Sequence, residues 1–410
     1  MNRKQYFFII LILGFLATVS PFSIDMYLPG FPRIAADLKT TIDKVQLSLT
    51  SYLIGICIGQ VLYGPLLDRF GRKKPLFFGL ALYVLASVGC AFTSSVDELV
   101  LMRFFQAMGG CVGLVASQAL VSDLFPSEKR AEVFSMITLV IAVSPMIAPT
   151  VGGYVTGVIS WHWIFIILAG IVSMIMAAIY FFLPTGRQAD TSVSLRPKAV
   201  LSGYFTVIRQ PQFLIYTLAG GLATAAPFAY IAGSSDVFMN IYKVSEQQYG
   251  WIFAFLAFAM IGSTQLNHFL LKKYRSEQII KTTLFYQSIV GLILIAGVYN
   301  NWFGLYSLIG MMFVFLIGQG LTGPNTSALS LAPFSKHTGS ASALMGSWRM
   351  GSGAIISAIV SFLHNNTALP MVGMMAFCSL GGLFILHTGN AVVRYHSSRR
   401  KVEEEVSVLL

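Results

Sequence analysis

Four ionisable side chains fall inside long apolar runs of this 410-residue chain: Asp25, Arg103, Asp236 and Arg349. Each costs about 3 kcal/mol near mid-span on insertion scales, so each needs a partner, a wet cavity or a task. A poorly hydrated carboxylate can take up and release a proton near neutral pH. Asp25, in Ser23-Ile24-Asp25-Met26-Tyr27-Leu28-Pro29, is placed for that chemistry at the end of the first run. Its competing reading is an interfacial carboxylate that reaches out to water from one turn inside. Arg103 and Gln106 lie one turn apart on one helix face. Arg103 reads either as a structural cation held by carbonyls of the first helix or as a tuner of the Asp25 proton. Arg349 lies about 15 Å into its run at 1.5 Å per residue, near the midplane. There it either pairs with a carboxylate such as Asp236 or faces a cavity. With Arg103 and Arg349 both in a cavity, the cargo would carry carboxylates.

The elements that must hold these residues are membrane helices. Hydrophobic residues make up 56% of the chain and charged residues 10%, whereas a soluble domain has roughly a quarter of its residues charged. Twelve spans of about 22 residues fit the apolar runs, at 6–28, 45–66, 75–92, 98–124, 131–159, 162–183, 213–234, 249–271, 279–299, 302–329, 339–363 and 368–388. The expected fold is an all-α membrane protein of twelve transmembrane helices in two six-helix pseudo-symmetric bundles. Residues 1–183 form the first bundle, 184–210 a basic linker with Pro184, Pro197, Arg187, Arg196, Lys198 and Arg209, 211–389 the second bundle, and 390–410 a charged tail. No A-x-A site interrupts the first run, so it reads as an uncleaved helix.

The net charge of +11 follows topology. Outside the spans, only Arg33, Lys39, Lys44 and Lys243 fall on the face opposite the termini, so the positive-inside rule places both termini in the cytoplasm. A nucleic-acid partner is not expected. Cys57, Cys90, Cys111 and Cys378 lie within spans without metal-ligand spacing and read as small buried apolar residues. No metal, cofactor or catalytic residue is expected. G-x-S-x-G, H-E-x-x-H, P-loop and C-x-x-C patterns are all missing, which argues against an enzyme.

Between the second and third spans stands Gly64-Pro65-Leu66-Leu67-Asp68-Arg69-Phe70-Gly71-Arg72-Lys73-Lys74. Topology asks only for cations there. Gly64 and Gly71 add a close helix contact and a tight turn, and Asp68 adds a carboxylate. The pattern G-x-L-x-D-R-x-G-R-[KR]-[KR], read with Pro65 just before the Leu, resembles the loop signature of the major facilitator superfamily. The matching turn of the second half, Leu271-Lys272-Lys273-Tyr274-Arg275, keeps only the cations. In such a family Asp123, at the foot of the fourth span, resembles the partner of Arg72. A network of Asp68, Arg72 and Asp123, beside Arg69, is the expected conformational gate, locking the outward-open state.

Asp-x-Tyr-Leu-Pro at the end of the first span resembles the Bcr/CflA group of drug/proton antiporters, and the resemblance implies Asp25 as proton carrier. A second carboxylate that some relatives carry eight residues earlier is replaced here by Ala17. Arg103-Phe104-Phe105-Gln106-Ala107 resembles the fourth-span motif of that group. Pro145, Pro149, Gly152 and Gly153 resemble its fifth-span antiporter motif, with Ala148 where a Gly usually stands. Two prolines four apart kink a helix, and the glycine pair admits a close neighbour.

The resemblance implies a proton-coupled exporter of small amphipathic compounds in the bacterial inner membrane, working by alternating access and expected to be a monomer. Its partners are then a small-molecule substrate, protons and the bilayer. The alternative is a transporter of an anionic metabolite or siderophore that uses Arg103 and Arg349. Tyr52, Gln60, Gln106, Gln118, Phe228, Tyr230, Asp236, Gln319, Asn325 and Arg349 are the candidate cavity residues. Taken singly, each aromatic or amide side chain among them reads as helix packing before binding.

Overall fold

The structure, a computed structural model, describes residues 3–184, 186, 189, 204–334 and 338–409, which form helices and turns. Its first half consists of α1 (Arg3–Asp25), a 3₁₀ turn (Leu28–Gly30), α2 (Phe31–Asp37), α3 (Ile42–Arg69), α4 (Lys73–Ala91), α5 (Val96–Leu124), α6 (Ser127–Val158) and α7 (His162–Phe182). The second half consists of α8 (Pro211–Ala223), α9 (Ala226–Ser235), a π turn (Asp236–Ile241), α10 (Glu246–Leu270), α11 (Ser276–Tyr299), α12 (Leu305–Leu331), α13 (Thr338–Phe362) and α14 (Leu369–Leu409). Together they make 12 segments long and apolar enough to cross a membrane, as the spacing of the apolar runs requires.

Three boundaries differ from expectation, each for a local reason. The first span does not pass into an open loop: Pro29 and Pro32 each stand in the first turn of a new short helix, where a missing N–H costs nothing. The seventh span is broken in two, with Pro227 starting α9, and it ends in a π turn that opens at Asp236. Such π segments frequently mark functional sites. The last helix runs on to Leu409 through the residues read as a tail, because no Gly or Pro follows Gly389 to stop it. In the expected linker, Arg187, Arg196, Pro197 and Lys198 lie outside the described residues.

Large apolar side chains such as Phe78, Leu85, Met174 and Phe181 are exposed on the outside of the bundle, as a lipid-facing surface demands. The two halves meet along two seams, α3 against α13 and α6 against α10. Along the first seam Thr50 Oγ1 donates to Ser357 Oγ at 3.0 Å, and Cys57 Sγ lies 3.3 Å from the Ser347 carbonyl. Cys57 is therefore a half-buried seam residue, unlike the fully buried Cys90, Cys111 and Cys378. One end of the bundle carries Arg33 and Glu246, and the other carries the turn at Arg72.

Candidate functional site

Asp25 is the last residue of α1, and its side chain is only 4% exposed. The interfacial reading therefore does not describe its position. Among the described residues no cation lies within ion-pair distance of its carboxylate. From the opposite half, Tyr230 and Tyr249 lie within electrostatic range of it. Tyr230 stacks on Phe253 with ring centroids 5.2 Å apart, and Tyr249 shares a 2.8 Å hydrogen bond with Ser234. An acid of one half thus lies within electrostatic range of a tyrosine pair of the other.

Arg103 does not join Asp25. Its guanidinium sits 4.0 Å from the Tyr52 ring centroid and 4.6 Å from that of Tyr27, with Phe165 at 5.8 Å. It donates to Gln106 Oε1 at 2.5 Å and to the Ser23 carbonyl at 3.3 Å. Gln106 in turn donates to Ser87 Oγ at 2.7 Å. Asp25 lies two residues beyond Ser23, about 200° around the helix, which is why the expected electrostatic partnership does not form. With Arg103, Gln106 and Tyr52 each at 0% exposure, this cluster is sealed packing inside the first half and not a cavity wall. A desolvated cation over an aromatic face is stabilised by about 2 kcal/mol.

The charged turn makes the predicted network. Arg72 Nε donates to Asp123 Oδ2 at 2.7 Å, its Nη2 to Asp123 Oδ1 at 3.3 Å, and its Nη1 to Asp68 Oδ1 at 2.7 Å. Burial disfavours the Arg72 charge, but the bonds and charges of Asp123 and Asp68 outweigh it and raise its affinity for the proton above the ordinary value. Gly71 has φ +79°, a left-handed turn that suits glycine. Gly186, also left-handed at φ +68°, covers the network next to Asp123, a role nothing in its sequence surroundings signals. Arg69 ends α3 beside this turn.

All three charged residues of the network belong to one half. One expectation about the turn fails. Gly64 makes no close helix contact: a β-carbon there would find nothing within 4 Å. The α3–α13 seam carries Gln60 against Gly346 and reaches no neighbour at Gly64, one turn further on.

At the Arg33 end the halves are pressed together. Arg33 Nε donates to Glu246 Oε1 at 2.8 Å, and Thr150 Oγ1 lies 3.5 Å from the Gly250 carbonyl. Helix α6, carrying Pro145 and Pro149, presents Gly152 to the Met26 carbonyl and Gly153 to the Glu246 carbonyl. A β-carbon on Gly250 would stand 3.0 Å from the Pro149 carbonyl. The glycine pair therefore serves two contacts, one to the turn after Asp25 and one to the other half. Sequence reading missed Tyr249, Arg33 and Glu246, because their neighbours are distant in the chain.

In the second half, Asp236 does not pair with Arg349. Its Oδ1 accepts from Asn240 at 2.8 Å and its Oδ2 lies 3.3 Å from His364 Nδ1. The partner was not foreseen, since His364 sits on the α13–α14 turn. Asn325, another cavity candidate, is committed to helix packing: it donates to Asn267 Oδ1 at 2.6 Å and to the Leu321 carbonyl at 2.7 Å. Gln319 donates to the Ala223 carbonyl at 3.2 Å. Phe228 is half-buried against Gly353, and Gln118 is exposed. Arg349 Nη2 donates to Ser327 Oγ at 3.0 Å and reaches the Gly323 carbonyl at 3.4 Å.

A separate apolar recess of about 770 Å³ lies between α1, α6 and α7. Exposed Phe15, Leu139 and Met174 line it, so it opens on the lipid face and contains none of the charged residues above. Among the described residues no cluster of His, Cys, Asp and Glu could hold a metal ion.

The profile of the Major Facilitator Superfamily matches residues 13–358. A bicyclomycin resistance protein homolog of Haemophilus influenzae is 32% identical over 92% of this chain and 94% of its own length. A chloramphenicol resistance protein of Pseudomonas aeruginosa is 29% identical over 100% and 97%, and multidrug resistance protein D of Escherichia coli 27% identical over 94% and 96%. In fold the chain is similar to a D-xylose-proton symporter, with a TM-score of 0.72 at 15% identity over 93% of this chain and 97% of the other. It is also similar to an inward-facing, occupied bacterial homolog of the human lysosomal transporter Spinster, with a TM-score of 0.70 at 14% identity over 97% and 98%.

Proposed function

Since this chain belongs to the major facilitator superfamily, among its Bcr/CflA-like members, and is a transporter and not an enzyme, we propose that it exports small amphipathic compounds in exchange for protons by alternating access. The observation that carries the reading is Asp25: a buried carboxylate with no cation at ion-pair distance among the described residues, at the end of α1 and within electrostatic range of Tyr230 and Tyr249 of the second half. Parting the halves at the Arg33 end uncovers that acid to the outer solution, where it takes up a proton as cargo leaves. Closing that end brings the tyrosine pair back over it, and opening at the Arg72 end lets the proton go and new cargo enter.

Several features support this cycle. The contacts between the halves at Arg33–Glu246 and at Gly153 gather at one end, as in a form closed outside and open to the cytoplasm. Drug-resistance names among the relatives fit export of foreign compounds. The cations flanking the spans support a cytoplasmic position for the Arg72 end and both termini. The two bundles, 1–183 and 211–389, then rock as units joined by 184–210, in a monomer seated in the bacterial inner membrane.

In inverted vesicles, a pH gradient should drive ethidium uptake by the native protein, and Asp25→Asn should abolish it while the purified variant still melts cooperatively. Gradient-driven uptake that survives in the Asn variant would remove Asp25 as proton carrier.

A further inference from the structure

We propose that Arg349 is an anion-recognition site, so that the cargo of this protein includes amphipathic compounds bearing a carboxylate. The proposal rests on the transporter reading above and names the chemistry of its binding site.

The chain holds two arginines deep within its spans, and the structure separates them. Arg103 is enclosed at 0% exposure, its charge met by aromatic faces and by Gln106 and the Ser23 carbonyl. Nothing can reach it without unpacking α1, α3 and α5. Arg349 has no such cage. Its hydrogen-bond partners among the described residues are two neutral oxygens, Ser327 Oγ at 3.0 Å and the Gly323 carbonyl at 3.4 Å, and both accept from the same nitrogen, Nη2. Its Nε is buried without an acceptor, as is that of Arg103, so what sets Arg349 apart is the lack of any aromatic face or charged partner around its guanidinium among the described residues. Among the described residues no carboxylate lies within ion-pair distance of it. The acid expected to pair with it, Asp236, is held instead by Asn240 and His364.

A guanidinium near the midplane with unspent donors is costly to keep unless something fills them. Its fork of N–H groups matches the two oxygens of a carboxylate, a fit that a point charge does not offer. Access is available as well. Positions 342–350 of α13 are all partly exposed, unlike the sealed surroundings of Arg103, and this stretch lies toward the Arg72 end, where Gly64 of the other half has no neighbour. Arg349 and its partner Ser327 of α12 are thus both partly exposed, in the part of the bundle nearer the side from which cargo enters.

The test compares a matched pair of probes, 2-naphthoate and its neutral amide 2-naphthamide, titrated calorimetrically into the purified full chain in detergent at one pH. The native protein should bind the acid about tenfold more tightly than the amide, equivalent to about 1.4 kcal/mol. Arg349→Gln should bring the two affinities together. Equal affinities in the native protein, no binding of the acid, or an acid preference that persists in Arg349→Gln would each overturn the proposal. Should the Gln variant fail to fold, Arg349→Lys decides: a reduced preference supports the site, and an undiminished one overturns it. Because the titration involves no gradient, its result is independent of whether Asp25 carries the proton. Failure of proton coupling and failure of anion recognition are therefore read separately.

Discussion

Gly152 lies directly against the carbonyl oxygen of Met26, the residue that follows Asp25, so closely that any β-carbon at 152 would overlap that oxygen. One residue on, Gly153 stands in the same relation to the Glu246 carbonyl of the opposite half. The pair links the turn that positions the acid to the surface that closes over it.

The two glycines should therefore behave differently when given a methyl group. In Gly152→Ala the obstacle is backbone of the same half, which can yield only by shifting the Asp25 turn. Overpacking of this kind costs about 1–3 kcal/mol, so the melting temperature should fall and exchange should be lost. In Gly153→Ala the overlap is relieved by parting the halves. Stability should stay near native, and spin labels at Asp37 and Lys243 should move apart. An unchanged label distance would contradict the assignment of Gly153 to the closing surface.

Arg72 donates two of its three carboxylate bonds to Asp123, and both partners are largely buried. Asp123→Ala leaves the guanidinium with Asp68 alone and should cost about 3 kcal/mol, the range for breaking a buried pair. Denaturant unfolding of the two single variants and the double variant Arg72→Ala/Asp123→Ala gives the coupling directly, and additive losses would show that the bonds contribute nothing jointly.

Gly64 has open space around it while the Arg33 end is shut. If that space is where α13 arrives when the Arg72 end closes, Gly64→Leu should express and melt like the native protein yet exchange poorly. A native exchange rate in the Leu variant would mean that no close approach occurs there in the cycle.

Arg103 is held by rings and neutral oxygens and has no ion pair with Asp25. Arg103→Gln should lower stability by about 2 kcal/mol, the loss of desolvated cation–π contacts, and leave the pH profile of the remaining exchange where it was. A displaced profile would restore the electrostatic link to the acid.

The apolar runs and the placement of cations between them determined the twelve spans, because hydrocarbon admits only segments that satisfy their own backbone and carry almost no charge. The same patterns marked Asp25 and the Asp68–Arg72–Asp123 network, where the partners are close in the chain or signalled by a motif. What met what across the halves was decided by tertiary structure alone. Asp236 could have paired with Arg349 on composition, yet it took His364. Arg103 turned from the acid to Tyr27 and Tyr52, and Asp25 came within electrostatic range of Tyr230 and Tyr249. Helical periodicity tells which side chains share a face but not which distant helix that face will meet, and a partner chosen by packing leaves no spacing in the chain to read.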